Sequence, residues 1–148
     1  MTRRFHHAAI STPDLDRSIA FYRDRLGFEV LAEFAWPRGT AAADEVMGLR
    51  DSSGKAAMLR LGDVRLELFQ FTTPSARPSD PARPVSDHGI THLCFEVEDV
   101  EREYERLLAL GVRFTCRPRK VGPATFATYG RDPDGNVIEL LEERPPRA

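Results

Sequence analysis

Two histidines and two glutamates of this chain occupy matching positions in short stretches where the apolar residues alternate with other residues. In each stretch the period of two turns the ionisable side chain to the face opposite the apolar one. The four are His7, Glu67, His92 and Glu139. Two carboxylates brought together in a partly dry site would repel each other unless a cation held them. Two imidazole nitrogens and two carboxylate oxygens suit Ni, Co, Mn, Fe or Zn, so the pattern predicts a divalent metal site.

Each of these side chains taken alone is more often structural than functional, and the metal prediction therefore rests on the set of four. His6 is expected to face the apolar side of its strand, and His88 lies in a proline-rich segment, so neither is assigned to the site. Cys94 shares the face of His92 but is predicted to be a small buried core residue. Together with Cys116 it is expected to be a reduced thiol rather than half of a disulfide.

The two halves of the chain form an internal repeat. One offset aligns His7 with His92 and also Asp14 with Asp99, and a second offset places Glu67 on Glu139. The repeat is informative mainly because it pairs histidine with histidine and glutamate with glutamate at corresponding strand positions.

Each half is predicted to run as a strand, a helix and further strands. One helix begins at the cap residues Thr12-Pro13-Asp14 and ends at Gly27, and another begins at Asp99 and ends at Gly111. Residues 37–51 are predicted to be a loop or a short helix, and residues 72–88, with four prolines, an extended linker. The predicted strands are residues 5–10, 28–36, 56–61, 64–71, 89–97, 112–115, 124–129 and 137–142.

The composition is that of one soluble globular domain. The chain has 148 residues, 41% of them hydrophobic and 30% charged, with a formal net charge of -2. This balance gives no long-range attraction for nucleic acid or acidic membranes. The sequence has no apolar run long enough to cross a membrane and no signal-peptide pattern, so a cytoplasmic protein that binds a small molecule is expected.

Several motifs in this order resemble the vicinal oxygen chelate superfamily. They are Phe5-His6-His7-Ala8-Ala9-Ile10 with Asp14-Leu15, Ala20-Phe21-Tyr22, Leu26-Gly27-Phe28, Thr91-His92-Leu93 before Asp99-Val100, and Asp132-Pro133-Asp134-Gly135-Asn136 before Ile138-Glu139-Leu140. The resemblance covers residues 4–142. It implies an α+β fold in which two βαβββ modules form a cupped mixed sheet around a metal, usually in a homodimer. The single domain of residues 1–148 would contain module 1 at about 4–71, the linker at 72–88 and module 2 at about 89–142.

The same resemblance implies an activity. The four predicted ligands fall where glyoxalase I has its metal ligands, and methylmalonyl-CoA epimerase is similar but commonly has Gln in place of Glu67. The implied reaction is a lyase or isomerase step in which a metal chelates adjacent substrate oxygens and stabilises an enediolate, while Glu139 or Glu67 moves the proton. Ser11 and Phe71 stand where short bacterial glyoxalases hold glutathione, which argues against that cofactor.

Two other functions are compatible with the same resemblance. One is a drug- or toxin-binding resistance protein of the bleomycin-resistance type, although such proteins generally lack the metal ligands. Phe69 and Phe71 suggest a cavity more apolar than one that holds glutathione. The other is an extradiol dioxygenase, which uses two histidines and one glutamate on Fe(II) and typically has more modules.

Overall fold

Residues 3–144, which the computed structural model describes, fold as two successive α+β units. The first comprises the residues up to Pro78 and the second those from Ser79 onwards. The helices are α1 (Leu15–Leu26), α2 (Ala41–Met47) and α3 (Val100–Ala109). The strands are β1 (Ala8–Ser11), β2 (Glu29–Trp36), β3 (Ser53–Leu61), β4 (Val64–Thr73), β5 (Leu93–Glu96), β6 (Arg113–Phe114), β7 (Arg119–Lys120), β8 (Thr125–Arg131) and β9 (Val137–Glu143). Within residues 3–144 no helix has the length and apolar character that a membrane span requires.

The first unit is a four-stranded mixed sheet in the order β1-β4-β3-β2 with α1 against one face. Strand β1 runs parallel to β4, and the remaining pairs are antiparallel. Leu66 and Leu68 of β4 are buried, as are Leu15 and Tyr22 of α1. Each such side chain contributes about 1.5–3 kcal/mol on burial, so this apolar layer fixes which face of β4 turns towards the helix.

The second unit repeats this plan in the order β5-β9-β8-β6, with β7 pairing β8. Strand β5 is parallel to β9, and α3 packs against β9. Leu107 of α3 and Ile138 and Leu140 of β9 are fully buried. The predicted α+β fold of two βαβββ modules is therefore confirmed, with each module forming its own mixed sheet.

The strands that carry the two histidines are shorter than predicted. Strand β1 begins at Ala8 and β5 at Leu93, so His7 and His92 each lie immediately before a strand rather than inside it. Backbone pairing with β4 and β9 starts only at Ala8 and Leu93. The prediction that His6 faces the apolar side was wrong: His6 is exposed because strand alternation does not extend to a residue outside the ladder.

Other boundaries differ from the prediction in smaller ways. The undecided segment at residues 37–51 contains helix α2, and β3 and β4 are longer than expected. Residues 112–115 give only the two-residue strand β6, and the short strand β7 was missed. Two-residue strands carry too little periodicity to be recognised from sequence.

A side chain of the last strand in each unit accepts a hydrogen bond from the first turn of the helix of that unit. The backbone N–H of Leu15 donates to Gln70 Oε1 at 2.8 Å, and the N–H of Val100 donates to Glu142 Oε2 at 3.0 Å. These N–H groups lie in the first turn, where no partner exists within the helix. The pKa of Glu142 is lowered from its ordinary 4.5, chiefly by a hydrogen bond from Arg144 and then by the bond from Val100.

We predict that Glu142→Ala lowers the free energy of unfolding by about 1–3 kcal/mol, because it leaves the N–H of Val100 without its buried acceptor. Glu142→Gln is the matched control, since it retains an oxygen acceptor as Gln70 does, and it should cost less. The check is urea unfolding of both variants at neutral pH. Equal destabilisation by the two substitutions would contradict this role.

Acid titration of the same proteins tests the charge of Glu142. A carboxyl whose folded pKa is lowered stabilises the fold above its unfolded pKa and loses this contribution as the pH falls through the folded value. The stability advantage of the native chain over Glu142→Gln should therefore shrink below about pH 4.5. A difference that stays constant with pH would contradict the lowered pKa.

Candidate metal centre

The first histidine–glutamate pair is formed by the parallel pairing of β1 with β4. Ala9 lies opposite Glu67 in the register, and His7 lies two residues before Ala9, just ahead of the ladder. His7 Nε2 is 3.1 Å from Glu67 Oε2, and the glutamate side chain is only 13% exposed. The two residues that were predicted as ligands in this half are therefore in direct contact.

The second pair has the same construction. Strand β5 is parallel to β9, Cys94 lies opposite Glu139, and His92 lies two residues before Cys94. His92 Nε2 is 3.0 Å from Glu139 Oε2, and this glutamate side chain is 12% exposed. The internal repeat seen in the sequence thus extends to side-chain geometry.

Both pairs have the spacing expected of neighbouring ligands on one metal ion. Two donor atoms each about 2.1 Å from an ion, and at right angles to one another, lie about 3.0 Å apart. The other ring nitrogens already have partners: His7 Nδ1 is 2.7 Å from His6 Nδ1, and His92 Nδ1 is 2.9 Å from Thr91 Oγ1. Such contacts at Nδ1 orient an imidazole ring whose Nε2 faces the proposed ion. The donor chemistry of each pair fits a divalent metal.

Among residues 3–144, no group of three or more His, Cys, Asp or Glu side chains is arranged to hold a metal ion. Each unit brings together two of the four predicted ligands. Binding of one ion by all four residues stays a prediction.

The surroundings of the two glutamates differ. Met58 and Ala9 are the cross-strand neighbours of Glu67, whereas Tyr129 and Cys94 are those of Glu139. The Tyr129 ring also lies against His92, with ring centroids 5.1 Å apart. Tyr129 was not identified from the sequence; the β8–β9 register that places it opposite Glu139 is the signal that would have found it.

Cys94 is part of this second environment. The prediction that it is a buried core residue was wrong, because it is exposed. Local desolvation raises the pKa of its thiol to about 12, and a hydrogen bond to Glu139 together with the negative charge of that carboxylate adds to the rise. The thiol therefore stays protonated near neutral pH and donates to one of the predicted ligands.

Three aromatic rings pack against one another on the side of β4 that carries Glu67. Phe69 and Phe71 follow Glu67 at alternate positions of β4 and stack with centroids 5.7 Å apart, and Trp36 meets Phe71 edge-on at 5.5 Å. Gly54 makes room for the indole, since a Cβ there would lie 2.7 Å from Trp36 Cη2. Phe69, Phe71 and Trp36 thus form an aromatic cluster on the first unit, and the apolar cavity expected from Phe69 and Phe71 stays a prediction.

Comparison with known proteins agrees with this geometry. Residues 4–140 match the model of the Glyoxalase/Bleomycin resistance protein/Dioxygenase superfamily. The chain is 34% identical over 147 residues to a 2-epi-5-epi-valiolone epimerase from Actinomyces sp., covering 92% of this chain and 77% of the relative. It is 30% identical over 152 residues to an ethylmalonyl-CoA/methylmalonyl-CoA epimerase from Cereibacter sphaeroides, covering 95% of this chain and 98% of the relative.

Among solved structures, a glyoxalase family protein from Bacillus cereus superposes with a TM-score of 0.87 at 25% sequence identity, covering 98% of this chain and 97% of the other. The family match, the epimerase relatives and the repeated histidine–glutamate pairs lead to one conclusion: this chain belongs to the glyoxalase/bleomycin resistance protein/dioxygenase superfamily, also called the vicinal oxygen chelate superfamily.

Proposed function

We propose that this protein is a metal-dependent isomerase of the epimerase type, which moves a proton at a carbon next to a carbonyl group. One observation carries the proposal: each unit holds a histidine Nε2 and a glutamate Oε2 at ligand spacing, at equivalent positions of an internal repeat. The two relatives named as epimerases support the choice of reaction within the superfamily.

His7, Glu67, His92 and Glu139 are the proposed ligands of one divalent ion, in one chain or across a homodimer. Four protein ligands on a six-coordinate ion leave two positions, which suits a substrate with adjacent oxygens. When bound, the ion supplies positive charge that stabilises the developing enolate. The low exposure of both glutamates limits water around the reacting groups and strengthens this electrostatic effect.

The chain itself supplies groups for the proton transfer. Epimerisation removes a proton from one face of a carbon and returns one to the opposite face, so it uses two proton-transfer groups or one group that reaches both faces. Glu67 and Glu139 are the proposed pair, because the repeat gives each unit one carboxylate at the equivalent register position. The thiol of Cys94 and the phenol of Tyr129 stay protonated near neutral pH, since the pKa of each is raised first by desolvation. They therefore do not compete with Glu139 for a proton, and Cys94 also donates a hydrogen bond to it.

The ligand assignment predicts that His7→Ala and His92→Ala each weaken metal binding by about a hundredfold or more, because each removes a direct donor where loss of an outer partner already costs 10–100-fold. The measurement is titration of the metal-free protein with Zn²⁺, Ni²⁺, Co²⁺ and Mn²⁺, followed by elemental analysis after dialysis. His88→Ala is the control, since this exposed histidine belongs to neither pair. Unchanged metal content in both ligand variants would refute the assignment.

The proton-transfer roles predict a second result. Glu67→Gln and Glu139→Gln retain an oxygen that can face the ion but cannot accept a proton, so at saturating metal each should lower turnover by about 10²–10⁴-fold. Incorporation of deuterium from D₂O into the substrate follows the reaction directly. The substrate panel contains ethylmalonyl-CoA, methylmalonyl-CoA and 2-epi-5-epi-valiolone, on which the two relatives act by name.

Two controls separate this proposal from the alternatives. Tight drug binding by the metal-free protein, without deuterium incorporation, would replace the isomerase with a resistance-type binding protein. Oxygen uptake with a catechol in the presence of Fe(II) would replace it with a dioxygenase. Full turnover by both Gln variants at saturating metal would remove the glutamates from the reaction.

A further inference from the structure

The two histidines of the proposed metal centre differ in what holds their Nδ1 atoms. His92 Nδ1 contacts the hydroxyl of Thr91 at 2.9 Å. His7 Nδ1 contacts another imidazole, that of His6, at 2.7 Å. The remaining nitrogen of His6, Nε2, contacts the guanidinium of Arg65. Sequence reasoning assigned neither His6 nor Arg65 to the site.

The direction of these hydrogen bonds follows from the guanidinium. Arginine has donors and no acceptor, so the N–H of Arg65 donates and His6 Nε2 accepts. A neutral imidazole has one N–H, so His6 carries it on Nδ1 and donates to His7 Nδ1. His7 then carries its own proton on Nε2, where it donates to Glu67 Oε2 at 3.1 Å. The four side chains form one directed chain from Arg65 to Glu67.

This series of hydrogen bonds from Arg65 to Glu67 opposes metal binding at His7. A metal binds an imidazole nitrogen that carries no proton, so His7 must move its proton from Nε2 to Nδ1. His6 Nδ1 would then have to accept, which places the His6 proton on Nε2, against the N–H of Arg65. Each ring loses one proton and gains one, so no net charge changes. Two donors now face each other, and the Arg65–His6 contact must break.

The second unit has no such conflict. The hydroxyl of Thr91 can either donate or accept, so His92 can change tautomer while its contact with Thr91 persists. Thr91 and His6 occupy equivalent positions directly before the two histidines. The partner of His92, Thr91, can therefore either donate or accept. The partner of His7, His6, can only donate while Arg65 donates to its other nitrogen.

We propose that His6 and Arg65 are positioning residues that fix the Nε2–H tautomer of His7 and thereby weaken binding of the proposed ion through His7. The proposal extends the metal centre of the proposed function and rests on it for its effect on affinity. The tautomer itself is a property of the metal-free protein. The two parts are therefore tested separately.

The tautomer is tested by long-range ¹H–¹⁵N correlation spectra of metal-free protein labelled with ¹⁵N-histidine, at a pH where the imidazoles are neutral. We expect the proton on Nε2 of His7 and on Nδ1 of His6. Arg65→Met should remove this preference without affecting His92. A proton on Nδ1 of His7 in the unmodified chain would overturn the proposal, and this measurement requires no metal and no substrate.

The effect on affinity is tested by calorimetric titration with Zn²⁺. His6→Thr copies Thr91 of the other unit, keeps the charge of Arg65, and should tighten binding about tenfold, the equivalent of roughly one hydrogen bond that no longer has to break. Arg65→Met should do the same. Arg60→Met is the matched control, because Arg60 lies directly opposite Arg65 in the β3–β4 register but pairs with Glu29.

The double variant completes the design. In the His6→Thr background, Arg65→Met should have no more effect than Arg60→Met, since the directed chain is already broken. Equal effects of Arg65→Met and Arg60→Met in the native background, or unchanged affinity in His6→Thr, would overturn this proposal alone. Failure of every variant to bind zinc would overturn both the metal centre and the affinity part of the proposal.

Discussion

Parallel pairing between the first and last strand of each unit is the constraint on which the rest of the structure depends. Parallel neighbours cannot be joined by a tight hairpin, so a helix and further strands must lie between them in the chain. The pairing of β1 with β4 and of β5 with β9 brings a histidine from the start of each unit to a glutamate near its end. The contacts at 3.1 and 3.0 Å are a direct product of this topology.

The register of that pairing is set by the apolar side of the sheet. A slip by one residue would turn every side chain of a strand to the opposite face. The helix-facing side chains of both last strands are buried almost completely: Leu66 and Leu68 in β4, and Ile138 and Leu140 in β9. Moving them into water would cost several kcal/mol, so core packing determines that Glu67 and Glu139 face away from the helices. On the helix side, Gln70 and Glu142 accept hydrogen bonds from the first turns of α1 and α3, so each last strand stabilises a helix with one face and carries a predicted ligand on the other.

Much of this could be predicted from the sequence because it depends on local pattern. Period-two alternation gave the faces of Glu67 and Glu139, cap residues and glycines gave α1 and α3, and the repeat gave the two histidine–glutamate pairs. The prediction failed where the determining contact is non-local. His6 was assigned to the apolar face by alternation, and Cys94 to the core by its residue type. In the structure His6 lies outside the ladder beside Arg65, and Cys94 is exposed and hydrogen-bonded to Glu139. Sharing of one ion by both pairs depends on the arrangement of the two units, which no local pattern determines.

The repeat has kept its two histidine–glutamate pairs while the residues around them have diverged, and in the proposed metal centre this difference would favour one orientation of the substrate. An exactly symmetric site could bind an unsymmetrical substrate in two opposite orientations, only one of which would place the correct carbon for proton transfer. Beside Glu67 the surface is apolar, with Met58 and the stacked rings of Phe69 and Phe71. Beside Glu139 it offers the phenol of Tyr129, which can donate a hydrogen bond, and a protonated thiol that already donates to Glu139. If both pairs bind one ion, as proposed, a substrate with one apolar and one hydrogen-bonding substituent would gain contacts in one orientation and leave polar groups unpaired in the other. Differences around the proposed ligands would then select the reacting face.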